Sequence, residues 1–248
     1  MLPPATTNFF VRLIKPLHIL TFSKQFMSWG FGLTALLFLF GGIWGLAFTP
    51  ADYQQGHLVK IMFVHVPASW WAMGVYTLMA LSSAAGLITR APLYFYLTKA
   101  LAPIGACFCL TSLITGMIWG KPAWGTWWVW DARLTSMLIL FFLYLGYLNL
   151  AHKIDQPKLL SMASIIVVLG WVNVPIIKWS VDWWYTLHQP ASLLRFAKPA
   201  IHPQFLGPLL IMAVAFGFYT FTVGLWNLRL ILKQCKSLRK ERCLKSAV

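Results

Sequence analysis

Charge is what this 248-residue chain has least of. Charged residues make up 10% of it and hydrophobic residues 59%. A soluble domain carries about 25% charged residues and is roughly 45–50% apolar. The deficit excludes an ordinary water-soluble domain and points to a chain that lies in lipid. Cysteine is scarce too: Cys107, Cys109, Cys235 and Cys243, with no CxxC spacing. Neither a dithiol redox motif nor a covalent cofactor-attachment motif is present. Cys107 and Cys109, two apart on a helix, point roughly 200° apart and make a poor joint metal site. Residues 1–26 lack a secretory cleavage pattern, and the run Trp29–Phe48 is longer than a signal core of about 7–15 residues. It reads as a retained span. No internal repeat is visible.

Basic residues are in excess, with a formal net charge of +15. The excess sits in the termini and in short gaps between apolar runs. That arrangement flanks membrane spans and is not a nucleic-acid footprint. Membrane lipid is therefore an expected partner, and no nucleic acid is.

A helix needs about 20 apolar residues to cross a bilayer. Six runs qualify: residues 28–48, 61–88, 100–119, 134–151, 159–179 and 204–232. The expected fold is an all-α integral membrane protein, residues 1–248 forming one polytopic domain. Residues 1–27 are a basic N-terminal segment lying on the inner surface, and residues 233–248 a basic tail. Six spans place both termini on one side. That side carries fourteen Lys and Arg: Arg12, Lys15, Lys24, Arg90, Lys99, Lys153, Lys158 and the seven from Arg229 to Lys245. The other carries Lys60, Lys121, Arg133, Lys178, Arg195 and Lys198. The bias predicts cytoplasmic termini. Span interiors are nearly free of charge; Asn173 and Pro175 stand out as a kink in the fifth.

On the outer side lies WGTWWVWD, residues 124–131, with four tryptophans in one short loop. Single tryptophans at span ends form an aromatic belt, because indole is apolar with one N–H that wants water. A belt accounts for Trp44, Trp179 and Trp226. It does not account for a cluster. If 124–131 is helical, Trp124, Trp127, Trp128 and Asp131 share a face and make a flat shelf for a large planar apolar ligand. His65, in FVHVPASWW, and His188, in WWYTLHQP, flank the loop, each with a tryptophan pair nearby and a proline two residues on, Pro67 and Pro190. Each alone reads as a polar interfacial anchor. Together they can clamp an iron axially, with a porphyrin across the shelf. His57 and His202 rank lower, and His18 and His152 fall on the cytoplasmic side. Arg133 and Lys60 are the candidate cations for porphyrin propionates, with Lys178 and Arg195 weaker. Arg133 has an internal pair with Asp131 or a headgroup contact as its alternatives, and these roles can coexist. Asp131 itself has three open roles: that pair, an indole N–H, or a partner contact.

The run WGKPAWGTWWVWDARLTS, residues 119–136, resembles the tryptophan-rich WWD signature of haem-handling membrane proteins in bacterial cytochrome c maturation. Together with FTPADYQQG at 48–56, HVPASWW at 65–71 and WWYTLHQP at 183–190, it resembles the CcmC (haem exporter protein C) branch, over residues 29 to 232. The chain is shorter than the CcmF-type and CcsA-type haem lyases. The resemblance implies haem b held by two histidines at the periplasmic face of the cytoplasmic (inner) membrane. It implies delivery to the periplasmic haem chaperone CcmE, which bonds a haem vinyl carbon through its own histidine. The small membrane protein CcmD and the CcmA/CcmB ABC transporter are implied as partners in the same assembly. The axial ligands map onto His65 and His188. The WWD loop, residues 119–133, contributes Trp124, Trp127, Trp128, Trp130 and Asp131, followed by the cation Arg133. The family's arginine before the first histidine is Lys60 here, which keeps the charge and drops the bidentate fork. No nucleophile or acid–base pair is offered, so no enzyme is expected. The rival readings are a transporter moving haem through its own bundle, a lyase subunit attaching haem to apocytochrome c, and a purely structural subunit.

Overall fold

Lipid offers no partner to a backbone N–H or C=O, so a chain that crosses it closes its hydrogen bonds within helices. The computed structural model, which describes residues 16–152, 157–188, 193 and 200–245, is built that way. Its helices are α1 (Pro16–Ala47), α2 (Met62–Thr89), α3 (Pro92–Trp124), α4 (Ala132–Leu150), α5 (Pro157–Gly170), α6 (Asn173–Trp183) and α7 (Pro203–Lys245), with a 3₁₀ turn at His57–Ile61. Among the described residues, six helical segments are long and apolar enough to cross a membrane, α5 and α6 counting as one. The chain is a multi-pass, all-α membrane protein. Arg12, Lys15, Lys153, Pro190, Arg195 and Lys198 lie outside the described residues.

Helix ends follow local chemistry. Arg90, at φ 56°, donates its N–H to Gly86 O, and Pro92 then opens α3. Two residues thus reverse the chain into an α2–α3 hairpin. At its far end α3 stops at Gly125, whose φ of 79° suits glycine and whose N–H reaches Lys121 O. Asp131 caps α4 by accepting the N–H of Leu134. Before α2, the Asp52 carboxylate accepts the N–H groups of Gln54 and Gln55, and Asp52 and Gly56 exchange backbone bonds. That closes the loop between α1 and α2 tightly.

The fifth span breaks where the sequence predicts a kink. Pro175 has no N–H for the carbonyl of Trp171, so the helix restarts at Asn173. The Asn173 amide is buried and donates to Ser136 O on α4. At the other end, α1 runs as one helix from Pro16, so it takes in the second half of the segment expected to lie on the inner surface.

Helix α2 sits at the centre, against α3, α5 and α7. Ala68, Ala72, Val75, Tyr76 and Met79 line its buried side. Small residues there let backbones approach, which is how helices associate in lipid. Across that seam the Tyr144 hydroxyl donates to Ala72 O, and Trp71 donates to Ala213 O of α7 at 2.7 Å. Trp71 is therefore a helix-packing residue and does not face His65. Trp44, Trp179 and Trp226 are exposed on the outside of the bundle, as belt residues are.

Candidate functional site

Three pieces meet at one end of the bundle: the start of α2 with His65, the end of α3 with the WWD loop, and the stretch after α6 with His188. His65 lies in the first turn of α2. Its Nδ1 is 3.1 Å from Thr115 Oγ1 on α3. The Thr115 hydroxyl has one proton, and it donates to Thr111 O at 2.6 Å. It therefore accepts from His65, which must carry its own proton on Nδ1. Trp119, one turn further along α3, packs edge-on against the His65 ring at 5.7 Å. Below the ring, Ser69 Oγ donates to His65 O and lies 2.6 Å from Ser112 Oγ.

His188 is held by a different set. Its Nδ1 is 3.2 Å from Asp131 Oδ2. Thr186 donates its hydroxyl to the same carboxylate oxygen and accepts the His188 backbone N–H. Trp124, the last residue of α3, packs against the imidazole at 4.8 Å. Burial depresses the His188 pKa; the Asp131 carboxylate beside it works the other way, and Arg133 adds to the lowering. The net result is a neutral imidazole at neutral pH. Burial raises the Asp131 carboxyl, but hydrogen bonds from Leu134 and Thr186, together with His188, outweigh it and hold the group below its ordinary range. Asp131 is therefore ionised and accepts the His188 Nδ1 proton.

Both imidazoles thus direct Nδ1–H into the protein. Among the described residues no hydrogen bond engages either Nε2. His65 lies within electrostatic reach of His188 and Arg133. Trp119 and Trp124, which support the two rings, stand five residues apart on α3, about 7.5 Å along its axis.

The WWD loop differs from the expected helical shelf. Residues 125–131 are non-helical, because Gly125 ends α3 and Asp131 caps α4. Trp124, Trp127, Trp128 and Asp131 consequently share no helical face. Trp124 supports His188, whereas Trp127 and Trp130 are exposed. Trp128 and Trp130 meet edge-to-face at 5.5 Å. The indole N–H of Trp128 is buried without a hydrogen-bond partner among the described residues.

Arg133, in the first turn of α4, does not pair with Asp131. One guanidinium nitrogen, Nη2, donates to Lys178 O at 3.2 Å, and the buried Nε has no partner among the described residues. Lys60 donates its amine to Leu46 O at 2.6 Å, capping the end of α1. No contact among the described residues ties Lys60 to His188 or Arg133. His57 opens the 3₁₀ turn, and His202 is exposed beside Phe205. Neither joins the pair. Sequence reasoning missed Thr115, Trp119 and Thr186. Thr111, Thr115 and Trp119 do fall at a spacing of four, a helix-face signal; nothing marks Thr186 beyond its nearness to His188.

A family model described as CcmC, heme exporter protein C, matches residues 9–242. The chain is 42% identical to the heme exporter protein C of Bradyrhizobium diazoefficiens over 240 residues, 96% of this chain and 91% of that one. Against the heme exporter protein C of Escherichia coli K12 it is 43% identical over 205 residues, 82% of each chain. A Marchantia polymorpha protein described as a putative cytochrome c biosynthesis ccmC-like mitochondrial protein is 41% identical over 237 residues, 94% of this chain and 100% of that one. A sequence matched along nearly its whole length makes the chain a member of the CcmC, heme exporter protein C, family.

Proposed function

We propose that this chain binds haem b at the periplasmic face of the bacterial cytoplasmic membrane and delivers it to the haem chaperone CcmE for c-type cytochrome biogenesis. The observation that carries the reading is the matched state of two imidazoles. His65 and His188 each hold Nδ1–H against a protein acceptor and, among the described residues, leave the Nε2 lone pair unengaged. Ligating histidines have this state, because the hydrogen bond at one nitrogen sets the tautomer for the other. No group of three His, Cys, Asp or Glu side chains placed to hold a metal ion occurs among the described residues. An iron held by this pair therefore needs a macrocycle to complete its coordination.

The remaining residues fit the same ligand. Among the described residues Arg133 Nε and Trp128 Nε1 are buried donors without partners, and a carboxylate such as a propionate is the acceptor chemistry that either would take. Lys60 serves as a second cation once it leaves the carbonyl of Leu46. Trp127 and Trp130 offer exposed aromatic surface for the porphyrin or the chaperone. When bound, haem supplies the vinyl group to which CcmE joins its histidine. The chain itself binds, orients and presents, with no catalytic step. CcmD and the CcmA/CcmB transporter complete the assembly. The fourteen-to-six bias of Lys and Arg favours cytoplasmic termini and a periplasmic site. Asn173, the polar group at the break in the fifth span, is satisfied by Ser136 O. That disfavours a haem path through the bundle.

Absorbance spectra of detergent-purified protein, before and after reduction, test the proposal. The wild type is expected to carry low-spin haem, and the double variant His65→Ala/His188→Ala to carry none. Stoichiometric haem in the double variant overturns the ligand assignment. Haem-free wild type, gently purified, overturns the function.

A further inference from the structure

Asp131 closes the tryptophan signature, and the structure gives its carboxylate two separate tasks. Oδ1 accepts the Leu134 N–H at 2.8 Å and starts α4. Oδ2 faces away from that helix and takes both the Thr186 hydroxyl and His188 Nδ1. The side chain is only 7% exposed. One carboxylate therefore ties the start of α4 to the segment that follows α6, and the tie ends on an imidazole.

We infer that Asp131 is a positioning residue that sets the tautomer and ring direction of His188, so that the Nε2 lone pair faces the ligand. This rests on the ligand role proposed for His188. Three contacts fix the ring. Asp131 holds Nδ1, Trp124 packs against the imidazole, and Thr186 fixes the backbone N–H. Thr186 Oγ1 also lies 3.5 Å from Nδ1, but its proton is already given to Asp131, so it too can only accept there, and the carboxylate at 3.2 Å is the nearer, charged acceptor. An ionised carboxylate has no proton to give, so it admits the Nδ1–H form alone. It also makes the far nitrogen a stronger donor to iron. His65 reaches the same state through a neutral hydroxyl, so the two ligands are unequal in basicity.

The test separates positioning from capping. In Asp131→Asn the amide oxygen still caps Leu134, and the amide N–H₂ now faces His188 Nδ1. That stabilises the Nε2–H tautomer and removes the lone pair from the ligand side. Asp131→Ser keeps a cap acceptor and loses the reach to His188. Wild type, D131N and D131S are purified in detergent and titrated with haem, and unfolding midpoint, spectrum and reduction potential are recorded. Both variants are expected to unfold near the wild-type midpoint and bind haem about 10–100-fold more weakly, the usual cost of losing an outer-shell partner. The haem that remains loses low-spin character, regains it when free imidazole is added, and has a raised reduction potential. D131S supplies the answer if D131N does not fold. A folded variant with the wild-type spectrum and potential overturns the inference, whatever its stability. If wild type shows no two-histidine spectrum, the proposed function fails instead, and the two failures are told apart.

Discussion

Gly116 follows Thr115 on α3, and a Cβ at that position would stand 3.1 Å from Cε1 and 3.6 Å from Nδ1 of His65. The imidazole thus occupies room that only a missing side chain provides. Gly116→Ala forces the ring to yield by a few tenths of an ångström. Gly116→Val adds two methyl groups beyond that and drives His65 off Thr115. Overpacking a filled site costs about 1–3 kcal/mol, and a lost hydrogen bond roughly 0.5–1.5 kcal/mol. The sum, about 1.5–4.5 kcal/mol, corresponds to roughly a 10- to 2,000-fold loss of haem affinity if it falls wholly on binding. Haem titration of the purified variants, followed by absorbance, reads it directly, and Ala should lie between wild type and Val. Gly32, on α1, has nothing within 4 Å of its Cβ position, so Gly32→Val is the matched control with no expected change. Wild-type affinity in Gly116→Val, or equal damage from Gly32→Val, refutes the placement of His65.

At the opposite end of the bundle, Arg229 Nη1 donates to Leu20 O at 2.5 Å and to Ser23 Oγ at 2.8 Å, joining α7 to α1. Arg229→Met should lower stability in detergent by about 1.5–3 kcal/mol, the range for hydrogen bonds to a charged group, while leaving the haem spectrum unchanged; a spectral change would couple the two ends. Acidification tests His188. Its pKa is lowered from 6.5, so neutral ligand persists below that value and is lost as pH falls through the depressed one. Acid titration of the low-spin band should therefore give a midpoint below pH 6.5, and loss above it contradicts the burial of the ring. Membrane sidedness is read by Cys labelling in a cysteine-free background. Tyr185→Cys, at a site 97% exposed, should react with an impermeant maleimide in intact cells, and Lys236→Cys only after permeabilisation. The reverse pattern inverts the proposed orientation.

Some of the site was legible residue by residue. His65 and His188 were marked by their tryptophan-rich surroundings on one side of the chain, and the structure places them at one end of the bundle. Pro175 and Asn173 marked the break in the fifth span, since a missing N–H acts locally wherever the helix packs. The WWD loop was harder. Its tryptophan spacing fits a helix, but Gly125 and Asp131 are strong end signals, and in the fold they prevail over the periodicity. Asp131 had three open roles. None was His188, because a partner 57 residues away leaves no trace in local pattern.

The residue order by itself determined the spans, their number and the sidedness expected of them, because lipid forces long apolar runs into helices and the membrane reads Lys and Arg locally. Only the tertiary structure decided which nitrogen of each histidine stays available. That depends on a threonine proton already directed to Thr111 O and on a carboxylate shared between a helix start and a distant loop. Such contacts come from separate elements, and they exist only once the bundle has closed.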